Sequence, residues 1–444
     1  MGTNEQSRKC PGPPAWTRRS FFKAGALGFG GMNLLNLMRS TVLAEPKDSA
    51  TCDAVVFVCL VGGMSHIDTF DPKPGQPSNG VFKAISTSVD GIQVCEHMPH
   101  IAATMKHCTL VRSTTSHLGD HVLGQMALHT SHPPGPIVCP SLGSLVAKER
   151  GNKQEGIPAY VTICSNNGGT LDAVLGAGFL DGQFEPFAIA DVMKGAGTLR
   201  PAPGVSETDF AQRNAMREGL DRIMRQRNAS ETFNVDAKLY GDGIRMMQSK
   251  VKAAMDLSNP ETLAQEAKYI KDYGENSVGR SFLTARRLLE AGVRFVEIGN
   301  AGWDTHGNGY KANKENLDTL DPALGTLIED LKARGMLERT MIVCTGEFGR
   351  SPQFQDSAAG GGRGHWNSVW STLLAGGGLK AGYLHGSSDA QGGEVKDKPM
   401  TIPDLHATIH RALGVDYTVD NITPAGRPIR IVEKGGKAVQ EILQ

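Results

Sequence analysis

Short apolar runs alternate along the chain with longer stretches of helical period. Several runs are apolar throughout, as expected for parallel strands covered on both faces. Helical patterns lie between them, as at Ser277–Ala291 and Asn313–Arg334, and a further helix is predicted over Pro403–Leu413 with Thr401 near its start as a cap. The pattern predicts an α/β fold, a three-layer sandwich with a largely parallel central sheet. The predicted strands are Ala54–Val61, Cys108–Ser113, Ala159–Ile163, Val293–Ile298, Thr340–Cys344 and Ser371–Ala375.

Residues 205–275 have a different pattern, because they are charged, helical in period and poor in strand candidates. We interpret them as a helical insertion or cap on the sheet.

The first 44 residues also differ from the rest. Thr17–Lys23 resembles the twin-arginine export motif, an uncharged stretch follows over Ala24–Met38, and Val42–Ala44 suits signal peptidase. The apolar stretch is shorter than the ~20 residues needed to span a bilayer. We therefore predict a twin-arginine signal peptide over residues 1–44 and a single α/β domain over residues 45–444. The expected location is periplasmic or secreted, with the twin-arginine export machinery as a partner; an uncleaved signal is the alternative and the one route to membrane contact.

Charge and cysteine usage exclude some classes of function. The leading segment carries six basic residues and one acid, so the remainder has 40 basic and 45 acidic residues, a net charge of about −5. Nonspecific nucleic-acid binding needs a basic face, and none is expected here. No CxxC pair occurs and no GxGxxG follows the first strand. Iron–sulfur and dinucleotide sites are therefore not predicted, and a redox enzyme is a minor alternative.

Polar side chains follow most of the predicted strands, where ligands bind in open parallel sheets. Imidazole and carboxylate together suit Zn²⁺, Mn²⁺ or Fe, and oxygen ligands alone suit Mg²⁺ or Ca²⁺. Arg350 and Arg363 fit either an anion clamp or ordinary ion pairs, and Asp71 fits either a site or a turn. The candidates at the strand ends are His66, Asp68, Ser113, Thr114, Thr115, Ser116, His117, His121, Asp304, His306, Glu347, Arg350 and His365.

Five motifs, in this order behind the export motif, carry a family resemblance: GGMSHIDTFDPKP, VRSTTSHLGDH, GWDTHGN, TGEFGRSP and GRGHW. They resemble the domain-of-unknown-function family 1501, which has been grouped with the alkaline phosphatase–sulfatase superfamily. The resemblance covers nearly the whole chain. It implies an alkaline phosphatase-like fold with metal ligands and a nucleophile at one sheet edge.

The resemblance also implies roles for individual residues. Asp68 would be the first Asp, and Asp304 with His306 the middle pair. One of Ser113, Thr114, Thr115 or Ser116 would be the nucleophile, with Ser116 favoured. The chain departs from the superfamily in two places, because Phe348 stands where a His is expected and the first strand ends in Gly62-Gly63 instead of Asp. The metal ligands implied are His66, Asp68, Asp304, His306, Glu347 and His365.

These residues predict an exported metal-dependent hydrolase of phosphate or sulfate esters, acting on a small-molecule or polysaccharide ester. The metal, expected to be Zn, Mn, Ca or Mg, would activate the nucleophile, Arg350 would neutralise developing charge, and His121 or His117 would act as general acid. No CxPxR-type signal for formylglycine occurs, which favours phosphoryl chemistry. The alternative, motivated by Phe348, is a noncatalytic envelope protein that uses the same fold and a metal for binding.

Overall fold

The structure is a computed structural model that describes residues 50–152, 156–165, 176–199, 201–202, 204–227, 240–241, 243–247, 249–257, 259–356 and 360–444. The predicted signal peptide, residues 1–44, lies outside them. Among the described residues, no helix combines the length and the apolar character that crossing a membrane requires.

The hydrophobic pattern predicted six of the described strands and three of the described helices at or near their observed places, and the structure gives the bounds of all of them. The helices are Pro99–Thr104, His121–Thr130, Leu142–Arg150, Glu207–Gln226, Lys250–Met255, Pro260–Gln265, Ala267–Tyr273, Ser277–Ala291, Gly309–Ala333 and Ile402–Ala412. Single 3₁₀ segments cover Pro77–Asn79, Met105–His107, Gly182–Phe184, Val192–Leu199, Leu337–Arg339 and Gln440–Ile442. The strands are β1 Ala54–Val61, β2 Ala84–Ser86, β3 Gln93–Cys95, β4 Cys108–Thr115, β5 Tyr160–Ser165, β6 Phe187–Ile189, β7 Phe295–Ala301, β8 Thr340–Thr345, β9 Gly349–Phe354, β10 Arg363–Trp366, β11 Trp370–Gly376, β12 Tyr383–His385, β13 Ser387–Ser388, β14 Val395–Asp397, β15 Met400–Thr401, β16 Asp420–Ile422 and β17 Pro428–Arg430.

Nine of the described strands form one large sheet in the order β12-β4-β11-β8-β1-β7-β5-β6, with β15 also paired to β4. The other eight form two-stranded sheets, β2-β3, β9-β10, β13-β14 and β16-β17. Strand β11 runs antiparallel to both of its neighbours, and every other pairing in the large sheet is parallel. The predicted, largely parallel sheet is therefore confirmed. Because β11 is reversed, its first residue lies at the edge where β1, β4, β7 and β8 end.

Both faces of the sheet are covered, which confirms the three-layer architecture. Along β1, Val56 and Val58 point into a core shared with the helices Ser277–Ala291 and Gly309–Ala333. Val55 and Phe57 point the other way, into a second core that includes residues of the helices Leu142–Arg150 and Ile402–Ala412. A strand buried on both sides has no polar positions to alternate, which explains the continuous apolar run in the sequence.

The described part of residues 205–275 is helical, with Glu207–Gln226 as its longest helix. Its description as an insertion or cap stays a prediction. At the carboxyl-terminal end, Thr401 caps the helix Ile402–Ala412 through a capping box with Asp404, as the sequence indicated.

The region predicted as loops after β8 is partly strand. Arg350 lies in β9 and His365 in β10, and these two strands pair antiparallel with His365 opposite Arg350. Gly-rich sequence and isolated charges suggested loops, but the pairing of the two segments supplies each with backbone partners that neither sequence reveals alone.

Two buried histidines make the stability of the fold pH-dependent. His406 and His410 lie one helical turn apart with no exposed surface, donating to the carbonyls of Leu128 at 2.7 Å and His406 at 2.8 Å. Burial lowers the pKa of His406 to about 3 and that of His410 to about 4.

We therefore expect the free energy of unfolding to fall as the pH drops below about 6.5. Below that pH the two histidines are protonated in the unfolded chain but stay neutral in the folded one. Each of them therefore lowers the free energy of unfolding by up to ~1.4 kcal/mol per pH unit. Urea unfolding between pH 7 and pH 5 measures the slope. The variant His406→Leu should lose about half of the contribution from this pair, and an unchanged slope would contradict the assignment.

Candidate metal centre

Four side chains, from the start of a helix, one loop and a strand, converge at the carboxyl edge of the sheet. His121, Asp304, His306 and His365 each offer one ligand atom, and these atoms lie within 4.8 Å of one another. The Oδ1 atom of Asp304 is 3.0 Å from Nε2 of His306, 3.4 Å from Nε2 of His121 and 3.5 Å from Nε2 of His365. The Asp304 and His306 side chains are 49% and 43% exposed, so the cluster opens to solvent.

The end of β1 positions Asp304. The Trp303 backbone N–H donates to the Val61 carbonyl at 3.1 Å, and the Trp303 ring is buried. Gly62, at φ 113°, lies so close that a Cβ there would be 2.3 Å from the Asp304 nitrogen. Gly62 thus leaves the space that lets the Asp304 loop approach β1, and Gly63 leaves room for the Phe348 ring, which a Cβ there would meet at 2.5 Å.

Each histidine of the cluster is oriented by a hydrogen bond on its outer nitrogen. The Nδ1 atoms of His121, His306 and His365 lie 2.8 Å from Glu347 Oε1, 2.7 Å from Gln355 Oε1 and 2.8 Å from the Gly119 carbonyl. Since these partners are acceptors, each Nδ1 carries the proton. All three Nε2 lone pairs then face the centre, the tautomer required of a metal ligand.

The four ligand atoms that face the centre of the cluster are all acceptors, so they suit a bound cation better than hydrogen bonds with one another. The Nε2 atoms of His306 and His365 are 2.9 Å apart, and Nε2 of His121 is buried without a hydrogen-bond partner among the described residues. Three lone pairs and a carboxylate directed at one point are a ligand set for a single ion. Three imidazoles and one carboxylate suit Zn²⁺ or another transition ion, whereas Ca²⁺ and Mg²⁺ prefer oxygen.

The charges around the cluster shift two pKa values in ways that serve this role. Burial alone would raise the pKa of Asp304, but the hydrogen bond and charge of Arg350, with the nearby histidines, outweigh it and lower the pKa. Burial lowers the pKa of His365 and so favours its neutral form, the form that binds metals. The carboxylate and this imidazole are thus held as ligands near neutral pH.

Glu347, predicted as a metal ligand, lies behind His121 instead of inside the cluster. Its side chain is fully buried and both oxygens are occupied: Oε1 accepts from Gly62 N at 3.0 Å as well as from His121, and Oε2 accepts from Gln125 Nε2 at 2.8 Å. The hydrogen bond that His121 donates to Glu347 raises the pKa of His121. Glu347 therefore orients His121 and increases its basicity.

We expect Glu347→Gln to weaken metal affinity by about 10–100-fold, since the uncharged amide polarises His121 less. Competition titration with a chelating dye measures the change. Glu433→Gln is the matched control, because Glu433 accepts from His132 Nδ1 at 2.7 Å in a similar pair that is not among the cluster's contacts. Equal affinities for both variants and the unmodified protein would show that Glu347 does not act on the cluster.

Arg350 supports the cluster from its buried side, and its side chain is not accessible to a substrate. Its guanidinium donates to Asp304 Oδ1 at 2.6 Å, to the Gly63 carbonyl at 2.8 Å, to the Arg363 carbonyl at 3.1 Å and to the Gly62 carbonyl. The side chain has no exposed surface. These contacts fix Asp304 and leave the proposed role in charge neutralisation a prediction.

Phe348 provides the apolar floor of the cluster. Its ring centroid lies 4.6 Å from that of His365 and 5.1 Å from that of His121. The superfamily's expected His is thus replaced by packing against two of the imidazoles.

The structure places Asp68 and His66 apart from the cluster. Asp68 forms a bidentate ion pair with Arg363, at 2.7 Å and 3.0 Å, with neither side chain exposed. His66 Nε2 donates to the Gly392 carbonyl at 2.8 Å, and burial lowers the pKa of this histidine. Asp71 pairs with Lys73 at 2.9 Å and Arg112 at 3.3 Å. Their contacts are those of structural residues, and ligation by Asp68 or His66 gains no support from them.

The nucleophile candidates lie at the end of β4 and in the loop after it. Ser113 Oγ donates to the Lys398 carbonyl at 2.6 Å, and Thr114 Oγ1 is 2.9 Å from Thr372 Oγ1, both in buried surroundings. Thr115 and Ser116 are half-buried. Ser116 Oγ accepts from Leu118 N at 3.2 Å, in the loop whose Gly119 carbonyl holds His365. Ser116 is therefore the candidate whose hydroxyl oxygen forms a hydrogen bond within the loop that also orients His365.

Sequence reasoning missed the residues that orient the ligands. Gln355 and Gln125 lie outside the five motifs, and Gly119, although inside one of them, acts through its backbone carbonyl. Each contact joins segments distant in sequence. His121 was expected as a general acid, whereas both of its nitrogens are directed to the cluster or to Glu347. Its position at the first turn of a helix after β4 was the available signal.

Comparison with known proteins finds one family model and several similar solved structures. The family model described as "Protein of unknown function (DUF1501)" matches residues 52–443. No curated protein is a detectable match. Among solved structures, the chain is similar to the lipoteichoic acid synthase LtaP from Listeria monocytogenes (10% identity, TM-score 0.37, 83% of this chain and 73% of that one). It is also similar to the sulfatase PsFucS1 from Pseudoalteromonas sp. (14%, 0.37, 82% and 68%) and to alkaline phosphatase from the Antarctic bacterium TAB5 (11%, 0.32, 74% and 92%).

Proposed function

We propose that this chain, which belongs to the DUF1501 family of proteins of unknown function, is a metal-dependent hydrolase of phosphate or sulfate esters. The observation that carries the proposal is the solvent-open cluster of three imidazole nitrogens and one carboxylate, each oriented from behind by a hydrogen-bond partner. Such preorganisation is a mark of a working metal site.

The ligands we assign are His121, Asp304, His306 and His365. A divalent ion bound there supplies a Lewis acid that polarises an ester oxygen and lowers the pKa of a nearby hydroxyl. The donor set favours Zn²⁺, Mn²⁺ or Fe²⁺ among the candidate ions. The chain's own contribution is to keep Asp304 charged through Arg350, to favour the neutral form of His365 through burial, and to direct the three Nε2 atoms at the centre.

The remaining chemistry is assigned to the loop after β4. Ser116 is the proposed nucleophile: its hydroxyl releases its proton to solvent, and its oxygen bonds to the phosphorus or sulfur as the bond to the ester's alcohol breaks. Water later hydrolyses the serine ester, which releases the acid and restores the hydroxyl. His117, exposed and adjacent to Ser116, is the proposed donor of a proton to the leaving alcohol, because the contacts of His121 occupy both of its nitrogens. The twin-arginine motif supports export to the periplasm or beyond, where the ester would be met.

A second candidate is a noncatalytic metal-binding protein. Four protein ligands can fill the tetrahedral shell of Zn²⁺, as in structural sites, and Phe348 removes one superfamily ligand. Metal content alone does not separate the two functions, whereas turnover does.

The test is to strip the purified protein with a chelator, reload it separately with Zn²⁺, Mn²⁺ and Mg²⁺, and assay p-nitrophenyl phosphate and p-nitrophenyl sulfate. We expect hydrolysis to vanish on stripping and to return with a transition ion, with Mg²⁺ much less effective. Stoichiometric metal without turnover of either ester or of a wider ester panel would favour the binding function. A protein that takes up no ion in any of these loadings would refute both.

A further inference from the structure

The longest helix of the 205–275 region is turned with its apolar side toward solvent. Along Glu207–Gln226, Met216 is 73% exposed, Leu220 64% and Ile223 48%. Surface helices normally bury such a stripe against the body of the protein. An apolar stripe facing outward is typical of a surface that pairs with a partner.

Another side of this helix faces inward and is mostly polar, with Phe210 as its half-buried apolar member. Asn214, Arg217 and Asp221 are half-buried, and Arg217 donates to Asn214 Oδ1 at 3.2 Å and forms an ion pair with Asp221. The Arg217 guanidinium also lies 4.4 Å from the centre of the Tyr240 ring. The helix is thus anchored through its polar side, and these contacts leave the apolar side outward.

The outward residues follow the spacing of a coiled-coil seam. Asp209, Arg213, Met216, Leu220, Ile223 and Arg227 follow one another at intervals of four, three, four, three and four residues. This alternation keeps every position on one stripe of the helix. The apolar residues occupy the middle of the stripe and the charged residues its ends.

The order of charges specifies the partner. If two copies pair antiparallel about the middle of the helix, Met216 of one copy faces Leu220 of the other and Asp209 faces Arg227 at both ends. The same register places Arg213 opposite Ile223, where the methylene stem of the arginine covers the apolar side chain and its charge stays in solvent. If they pair parallel, each charged residue faces its own copy, which repels. The stripe is therefore complementary to itself in the antiparallel orientation, as a two-fold symmetric interface requires.

We propose that this stripe, Asp209 to Arg227, is a homodimer interface in which two copies of the chain pair their helices antiparallel. One helix face is small beside a stable interface, so the dimer is expected to be reversible, with dissociation in the micromolar range, about 1–100 µM. The proposal is independent of the metal cluster and of the hydrolase function.

Sedimentation velocity of the purified protein from about 1 to 200 µM, a range that spans such a dissociation constant, tests the proposal. We expect the weight-average mass to rise from monomer toward dimer. Leu220→Lys should raise the dissociation constant at least 100-fold, whereas Val81→Lys should leave it unchanged. Val81 is the matched control, because it is 62% exposed and lies outside the stripe.

A charge exchange tests the orientation and guards against misfolding. Asp209→Arg and Arg227→Asp should each weaken self-association at least tenfold, since each brings like charges together at both ends. An equimolar mixture of the two variants should recover a heterodimer about as tight as the unmodified homodimer. Ser206 Oγ donates to Asp209 Oδ2 at 2.7 Å at the helix start, so the mixture also shows whether Asp209→Arg acts only by fraying the helix.

Three outcomes would overturn the proposal: a monomer throughout the concentration range, a dimer that Leu220→Lys leaves intact, or a mixture no tighter than its components. Vesicles of phosphatidylglycerol give the remaining comparison. Cosedimentation of a monomeric protein with these vesicles, lost in Leu220→Lys, would assign the stripe to a membrane surface and refute the dimer.

Discussion

Asp304→Asn is expected to empty the metal cluster and to abolish ester hydrolysis. The Oδ1 atom of Asp304 is the point at which the three Nε2 atoms meet, and it is the ligand atom with a negative charge. An amide keeps the shape and can still accept from Arg350, but it loses the charge that attracts a cation. We expect kcat/KM to fall by at least about 10³-fold at fixed metal concentration.

The measurement combines elemental analysis with turnover of the ester that the metal-loaded protein prefers. Asp318→Asn is the control, since Asp318 is an exposed residue on the helix that follows the same loop and pairs with Lys314. Thermal unfolding of both variants separates loss of metal from loss of fold. Retention of both metal and turnover in Asp304→Asn would refute the assigned cluster.

A second variant, His306→Ala, tests whether the imidazoles act as metal ligands. His306 is 43% exposed, so His306→Ala leaves an open space that free imidazole can enter from solvent. We expect imidazole added with the metal to restore part of the activity. A purely structural role for His306 would give no such rescue, and neither would a general loss of folding.

The hydrophobic pattern was sufficient to predict the architecture but not the contacts of the charged residues. Strand β1 has the predicted bounds, Ala54–Val61, because every residue of a doubly covered strand must be apolar. The helix Ser277–Ala291 also has its predicted bounds, with Asn276 as its cap and Gly292 following its last residue. Local rules of this kind depend on neighbouring residues and can be read directly from a sequence.

The site was predictable as an edge of the sheet but not as a list of ligands. Placing polar residues at strand ends identified Asp304, His306 and His365, which the structure brings together. The same reasoning could not separate Asp68 and Glu347 from them, because a carboxylate after a strand has the same sequence signature whether it faces a cation or an arginine. The distinction depends on long-range partners, Arg363 for Asp68 and His121 for Glu347.

Asp68→Asn is expected to lower the free energy of unfolding by about 3–5 kcal/mol, the range for breaking a buried ion pair. The fully buried Arg363 guanidinium donates to both Asp68 oxygens and to three backbone carbonyls, those of Ser351, Pro352 and Ser78. Its charge would remain buried without a counterion in this variant. The large effect follows from that uncompensated charge and not from the lost contact alone.

The control is an ion pair of the same geometry in solvent. Arg339 contacts both oxygens of Asp53 at 2.7 Å, but the two side chains are 50% and 42% exposed. Asp53→Asn should therefore lower the free energy of unfolding by no more than about 1 kcal/mol. Urea unfolding gives the loss of unfolding free energy in each variant. Because both substitutions are Asp to Asn, the difference between the two losses reports the effect of burial.

A double substitution distinguishes a structural pair from a metal ligand. Asp68→Asn combined with Arg363→Met removes both charges, so its effect should be well below the sum of the two single effects. Saturating metal should still bind with the stoichiometry of the unmodified protein in folded Asp68→Asn, because Asp68 contributes no atom to the cluster. If Asp68→Asn instead lost its metal while unfolding no more easily than Asp53→Asn, Asp68 would be a ligand and its pairing with Arg363 would describe only the metal-free protein.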